Sequence, residues 1–345
     1  MDAPAQAQTT GPCSGSGPCP RQDQGPFVLM STGCLFHLPL PQIAAIAQAA
    51  GFAGLDLVMG SPKIAPGHEL DAAHSLCPVR VVHAPFRNWS AWGGHLNAWR
   101  AAADLAGGLA GGLAGSDHTP GVHVTLHPPA GTLRDAIQTR WFARAVDLPR
   151  LLDARPGVSF SLENLPWAVN LTGGLLGSGL FGKDNLAELL TECQDKGLGL
   201  TLDVCHLGVS GRDILADLGR IPAGLLAHVH FSDAAGYTEH LPPGQGRLPL
   251  GPFLARLGRR ASDCADPGST DSGGSSFQGT VSLELDPSQL PDIPAGGDHT
   301  PVVHALATLR QGMLNALAGA PPPAWSGDQR EGCGTRAPVA LAALG

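Results

Sequence analysis

The histidines and acids of this chain gather where short apolar runs stop. His83 follows Val79–Val82, His127 follows Val122–Leu126, Glu163 closes Val158–Leu162, and Asp203 with His206 follows Gly199–Leu202. His230 lies inside Leu226–Phe231 and Glu284 inside Thr280–Leu285. Taken singly, each has an ordinary explanation: a histidine near a strand end hydrogen-bonds in a core or loop, and a glutamate there is a solvated rim group. Together they ask for more. Carboxylates and imidazoles buried side by side need neutralisation, and a divalent cation is their simplest partner. Mixed nitrogen and oxygen donors without thiolate suit Zn, Mn, Fe or Co, whereas an all-oxygen cage would suit Mg or Ca.

Eight candidate strands carry these residues: Val28–Thr32, Gly54–Val58, Val79–His83, Val122–His127, Val158–Glu163, Gly199–Asp203, Leu226–Phe231 and Thr280–Leu285. Helical patterns lie between most of them, at Pro41–Ala50, His95–Leu113, Leu133–Leu152, Asn185–Lys196, Arg212–Leu218 and Leu248–Arg259, and Pro301–Ala316 follows the last. Pro301 suits a first helical position with Thr300 as N-cap. Strands alternating with helices mark the α/β class, and eight such units suit a (β/α)8 TIM barrel of ~250 residues with insertions better than an open sheet. In such a barrel all strand C-termini meet on one face, so residues distant in sequence point into one small volume. The Gly-rich run Ala106–Gly115 is expected to be a loosely packed helix end rather than a phosphate loop, because it does not join a strand to a helix start. Cys205, just past the sixth strand, is expected to pack against the barrel.

The chain has 345 residues, 43% hydrophobic and only 14% charged, with 47 Gly and 31 Pro. This is a folded composition with many turns and few charges. A single barrel domain is expected over residues 27–319, with a disordered leader at 1–26, a Ser/Asp/Gly-rich insertion at 261–276 and a disordered tail at 320–345. No run of ~20 apolar residues is present to cross a bilayer, and the N-terminus lacks the basic start and apolar centre of a secretory signal, so the cytoplasm is the expected compartment. Eight cysteines without CxxC spacing are too sparse for a disulfide scaffold. The net charge is −8 and only three residues are Lys, which disfavours a polyanion-binding surface.

Several short pieces resemble the xylose isomerase-like TIM barrels, which include endonuclease IV and the sugar isomerases and epimerases. They are Val82-His83-Ala84-Pro85-Phe86, Thr125-Leu126-His127-Pro128, Leu162-Glu163-Asn164, Leu202-Asp203-Val204-Cys205-His206, His230-Phe231-Ser232-Asp233, His240-Leu241-Pro242-Pro243-Gly244-Gln245-Gly246 and Leu283-Glu284. The likeness to the epimerases implies one cation, often manganese, on Glu163, Asp203, His230 and Glu284. Glu163 and Glu284 would flank the carbon that loses and regains a proton, His206 would contact the sugar, and the cation would stabilise the enediolate. The likeness to endonuclease IV implies a trinuclear zinc cluster. There His83, His127 and Glu163 would hold one zinc, Glu163, Asp203, His230 and Glu284 the second, and His206, His240 and an aspartate two residues before His240 the third.

That aspartate is absent, since Thr238 stands in its place. Eight of nine expected ligands are therefore present, enough for one to two cations, and a third only if Asp233 or Glu239 stands in. Two functions remain open. One is a metal-dependent isomerase or epimerase of a sugar, sugar phosphate or polyol. The other is a zinc phosphoesterase, acting on DNA or on a small molecule. His83, His127 and His240 favour the second, and the acidic balance, which argues against DNA as partner, favours the first. Arg87, Trp89, Trp167 and Arg247 are the candidate substrate contacts, by stacking on a sugar or clamping a phosphate.

Overall fold

A computed structural model describes residues 26–60, 67–86, 89–113, 121–127, 157–166, 168–169, 175–176, 185–262, 277, 279–293 and 297–321. Eight parallel strands close into a barrel: β1 (Phe27–Ser31), β2 (Leu55–Val58), β3 (Val79–His83), β4 (Val122–Leu126), β5 (Val158–Glu163), β8 (Gly199–Asp203), β9 (Leu226–Phe231) and β12 (Thr280–Leu283). They pair in sequence order, and β12 closes on β1 through Val28 opposite Val281 and Met30 opposite Leu283. All eight expected strands are thus barrel staves, and their C-terminal ends share one face.

Each strand is buried on both sides, so nearly every position is apolar or paired. Alternation sorts them. Leu55, Leu57, Val122, Val124, Leu126, Val229, Phe231, Val281 and Leu283 join the hydrophobic core with the surrounding helices. The alternate positions turn inward and are unusually polar: Asp56, His123, Thr125, Ser161, Thr201, His228 and Ser282 are all buried. Bonds between strands that are not neighbours show the inward direction, with Thr125 Oγ1 of β4 3.0 Å from Thr201 Oγ1 of β8.

The outer layer comprises α1 (Leu40–Ala49), α2 (His68–Leu76), α3 (His95–Leu113), α4 (Asn185–Lys196), α5 (Val204–Val209), α6 (Ile214–Arg220), α7 (Leu250–Ser262) and α8 (Thr300–Leu317). Helix α7 buries Leu250, Phe253, Leu254 and Leu257, a stripe at helical spacing. The Gly-rich run, as far as it is described, is a helix end rather than a phosphate loop, as expected. Through Leu113 it is regular α3, with Ala106 and Leu109 in the core, while Gly108 and Gly111 face open space.

Thr300 is the first residue of α8, not its cap. Asp298, two residues earlier, accepts both the amide and the hydroxyl of Thr300. The expected helix at Leu133–Leu152 lies outside the described residues, as do the leader at 1–25, most of the tail and 263–276. Ala261 and Ser262 are helical. Among the described residues no helix is long and apolar enough to cross a membrane. Two short antiparallel pairs ride on the barrel's C-terminal face. They are β6 (Ala168–Val169) with β7 (Leu175–Leu176) after β5, and β10 (Asp233–Ala235) with β11 (Thr238–Leu241) after β9.

Candidate metal centre

The barrel places His83, Glu163 and Asp203 at the last residues of β3, β5 and β8, with His127 one residue past β4, Glu284 one past β12 and His230 one before the end of β9. The structure brings them together around Glu163. Glu163 Oε2 is 3.3 Å from His83 Nε2 and 2.7 Å from His127 Nε2, and Oε1 is 3.1 Å from His230 Nδ1. Asp203 Oδ2 and Glu284 Oε2 approach that same His230 nitrogen at 3.9 and 3.2 Å.

Proximity here does not mean satisfaction. His83 Nε2, His127 Nε2, Glu163 Oε2, Asp203 Oδ2 and Glu284 Oε2 are buried without a hydrogen-bond partner. A cluster of lone pairs facing one another in a water-poor pocket is costly unless a cation fills it. Three triads have ligand atoms mutually within 4.8 Å: His83/His127/Glu163 and Glu163/Asp203/His230, which share Glu163, and Asp56/His83/His230 deeper in the barrel. The first two take in the residues at the mouth. These donors fit a divalent transition cation on the second triad with Glu284 beside it, and a further one on the first.

Each ligand is held from behind. Asp203 divides its oxygens: Oδ1 accepts the His206 amide at 2.9 Å as the N-cap of α5, which leaves Oδ2 for the cluster. Asn164 fixes the Asp203 backbone, accepting its N–H at 2.7 Å and donating to its carbonyl at 2.9 Å. His206 Nδ1 lies 2.8 Å from the Asn164 carbonyl. A carbonyl only accepts, so Nδ1 carries the proton and Nε2 is the free atom of neutral His206. Glu284 is positioned by an unexpected residue. The Cys34 thiol donates to Leu283 O at 3.5 Å and accepts from Leu285 N at 3.2 Å, clasping the backbone on both sides of Glu284. Burial pushes that thiol up to about 12, so it stays protonated.

The electrostatics favour positive charge at the cluster. Burial raises the Glu163 carboxyl, but His127 and His230 outweigh it and hold Glu163 well below the carboxylate range. Burial opposes a charged His230, yet Glu163, Glu284 and Asp56 raise it well above an ordinary histidine. At His127 burial prevails over Glu163, and the ring is held below the usual value.

The loop after β9 decides what happens at the third corner. Asp233 is spent on backbone: its oxygens accept the amides of Ala234, Gly244, Gly246 and Leu248 at 2.9 to 3.0 Å. A Cβ on Gly246 would come within 2.1 Å of Asp233 Oδ1, so only glycine lets the loop wrap the carboxylate. His240 adopts φ 55, a left-handed conformation rare for a non-glycine residue. It lies 5.8 Å from the His206 ring, with Nδ1 3.6 Å from Cys205 Sγ. Asp203, Cys205, His206 and His240 thus form a cluster, but Thr238 is exposed and Asp233 is occupied. Burial also raises the Cys205 thiol well above its ordinary value.

Of the candidate substrate contacts, Arg87 and Trp167 lie outside the described residues. Trp89 is tied into its own loop, donating to Pro85 O at 3.0 Å and stacking on His95 at 3.7 Å. Arg247 is exposed on the Asp233 loop. The residue that sequence reasoning missed is Asp56 of β2. It is fully buried, with Oδ2 3.1 Å from His230 Nε2 and 3.3 Å from His228 Nε2. A lone acid in the run Leu55–Val58 was the available signal.

The sequence profile of the xylose isomerase-like TIM barrel family matches residues 43–264, most of the barrel. The chain belongs to this family. Among solved structures of the same fold are a D-tagatose 3-epimerase-like protein, 18% identical, covering 85% of this chain and 98% of that one, with TM-score 0.55, and the 3-keto-D-glucoside 4-epimerase of E. coli, at 16%, 82%, 98% and 0.57. An AP endonuclease of family 2 from Brucella melitensis matches at 17% identity over 76% of this chain and 93% of that one, with TM-score 0.51. An uncharacterised protein of Methanocaldococcus jannaschii is 33% identical over 104 residues, which span 29% of this chain and 33% of that protein. The xylose isomerase-like barrel here therefore has both epimerases and an endonuclease-type protein among its structural neighbours.

Proposed function

We propose that the chain is a divalent-cation-dependent isomerase or epimerase acting on a sugar, a sugar phosphate or a related polyol. One observation carries this reading: Glu163 and Glu284 both approach His230 Nδ1, at 3.1 and 3.2 Å, and each keeps an unpartnered oxygen. Glu163, Asp203, His230 and Glu284 would hold the cation. When bound, it supplies Lewis-acid stabilisation of negative charge developing on a substrate oxygen. Two carboxylates beside one polarised substrate can take a proton from carbon and return it. Glu284, half-buried while the others are buried, is the acid nearer the mouth. His206 Nε2 is free to hydrogen-bond a substrate hydroxyl. The epimerases among the neighbours support the same class.

A second reading, a zinc phosphoesterase, is favoured by the His83/His127/Glu163 triad, whose facing atoms are close and unpaired. The balance of −8 speaks against duplex DNA as its substrate. Counting metal in protein purified without chelator separates the readings. One tightly bound ion per chain, with solvent deuterium entering a ketose on incubation, is the expected outcome. Two or more ions with phosphoester cleavage would replace the first reading with the second, and no bound metal would refute both.

A further inference from the structure

The metal-facing orientation of His230 has a cause on the opposite wall of the barrel. His230 on β9 and Asp56 on β2 sit on strands separated in the barrel by β12 and β1, and their side chains meet across the interior. Asp56 Oδ2 receives two rings, His230 Nε2 at 3.1 Å and His228 Nε2 at 3.3 Å. A carboxylate only accepts, so both Nε2 atoms carry protons. The other nitrogen of His228, Nδ1, lies 2.6 Å from Thr280 Oγ1 and 3.1 Å from the Thr280 carbonyl; with the proton of the neutral ring on Nε2, facing Asp56, Nδ1 accepts the closer hydroxyl. The chain of donors therefore runs Thr280 to His228 to Asp56, with His230 entering Asp56 from the other side.

We propose that Asp56 is the positioning residue that makes His230 a metal ligand through Nδ1, with His228 and Thr280 holding Asp56 in place. This rests on the reading of Glu163, Asp203, His230 and Glu284 as a cation site. Three features carry it. Asp56 is fully buried, and a buried carboxylate is costly unless it is paired. The nitrogen that Asp56 engages is the one facing away from Glu163 and Glu284. A proton fixed on Nε2 leaves the Nδ1 lone pair for the cation, and histidine ligands ordinarily have their second nitrogen oriented in this way, at a cost of about 10–100-fold in metal affinity when the partner is lost. Asp56 touches no substrate in this arrangement and acts through His230.

The test uses the full chain loaded with Co(II), whose ligand-field absorption reports the number and geometry of ligands. Two variants are compared with the wild type: Asp56→Asn, which keeps the shape and one acceptor but not the charge, and Asp56→Ala, which removes both. Expected is about a 10-fold loss of Co(II) affinity in the first and about 100-fold or more in the second, with altered band intensity in both. Affinity and bands unchanged within twofold in either folded variant overturn the proposal, even if that variant melts earlier, because a purely structural role moves stability alone. A wild type that binds no Co(II) refutes the cation site instead. In that case the ring nitrogens of metal-free, histidine-labelled protein still decide the role of Asp56. A His230 Nε2–H resonance that shifts in Asp56→Asn supports it, and one that does not overturns it.

Discussion

His123 makes the polar interior of the barrel measurable. Its ring lies inside β4 with Nδ1 2.8 Å from Ser159 Oγ and Nε2 2.7 Å from Ser161 Oγ. Burial, and then the nearby His228, hold it far below an ordinary histidine, at about 3. The sign follows from linkage. A histidine free in the unfolded chain takes a proton near pH 6.5, and the folded one does not until far lower, so between those values the unfolded state binds more protons and stability falls as pH falls. Each pH unit in that window is worth about 1.4 kcal/mol, so going from pH 6.5 to 5 removes about 2 kcal/mol on account of His123. His123→Gln keeps hydrogen-bonding partners for both serines and cannot titrate. Urea unfolding of chelator-treated wild type and variant at pH 7 and pH 5 gives the double difference, in which the histidines not coupled to His123 cancel. The expected result is a loss between the two pH values that is smaller by about 2 kcal/mol in His123→Gln. Equal losses in the two proteins would show that His123 already titrates in the fold, and the reasoning from burial would be refuted.

Two further outcomes follow from close approaches near the mouth. Gly246→Ala forces a methyl against Asp233 and the Ala234 carbonyl and is expected to cost roughly 2–3 kcal/mol, at the high end for one substitution. A variant that unfolds at the wild-type urea concentration would show that the loop does not wrap Asp233 as described. Cys34→Ala strands the buried Leu285 amide at a cost of about 1–3 kcal/mol, and Cys34→Ser, which can still donate and accept, is expected to recover part of it. Equal stability of the Ala and Ser variants would remove the clasp on Glu284.

Much of the barrel was legible because its strands are buried on both faces and therefore read as short apolar runs. The residues that end those runs, His83, Glu163 and Asp203, are the ones the barrel collects. What escaped has physical reasons. Helix α2 offers only Leu70 and Ala73 to the core, too few for a periodic signal. The pair β10 and β11 contains two alanines and a Gly236-Tyr237 turn, so it lacks the β-branched pattern that marks strands. Asp56, His123 and His228 sit in the middle of strands rather than at their ends, where a polar residue is explained only by a partner on another strand. Thr300 suits a cap by its type, but the helix begins at Thr300 itself, and Asp298, two residues earlier, accepts its amide and hydroxyl.

The number of cations and the charge of the substrate are one question at this centre. Asp56 gives Oδ2 to two imidazoles and lies behind His230, on the side away from Glu163 and Glu284, and Asp233 gives both oxygens to four amides, so neither is counted among the acids facing the mouth. That leaves Glu163, Asp203 and Glu284, a formal charge of −3 with neutral histidines. One dication brings the set to −1, and two bring it to +1. In a pocket of low dielectric this difference of sign is large, because field lines from buried charge are poorly screened. A centre at −1 repels a phosphodiester at the reacting atom and admits a neutral polyol. A centre at +1 does the reverse. The third endonuclease-type corner, with Thr238 in place of aspartate, brings His206 and His240 beside Asp203 and Cys205, and its further acid is Glu239, whose charge is felt at His206. On this count a substrate that reaches the centre uncharged goes with a single cation, and a phosphodiester with two.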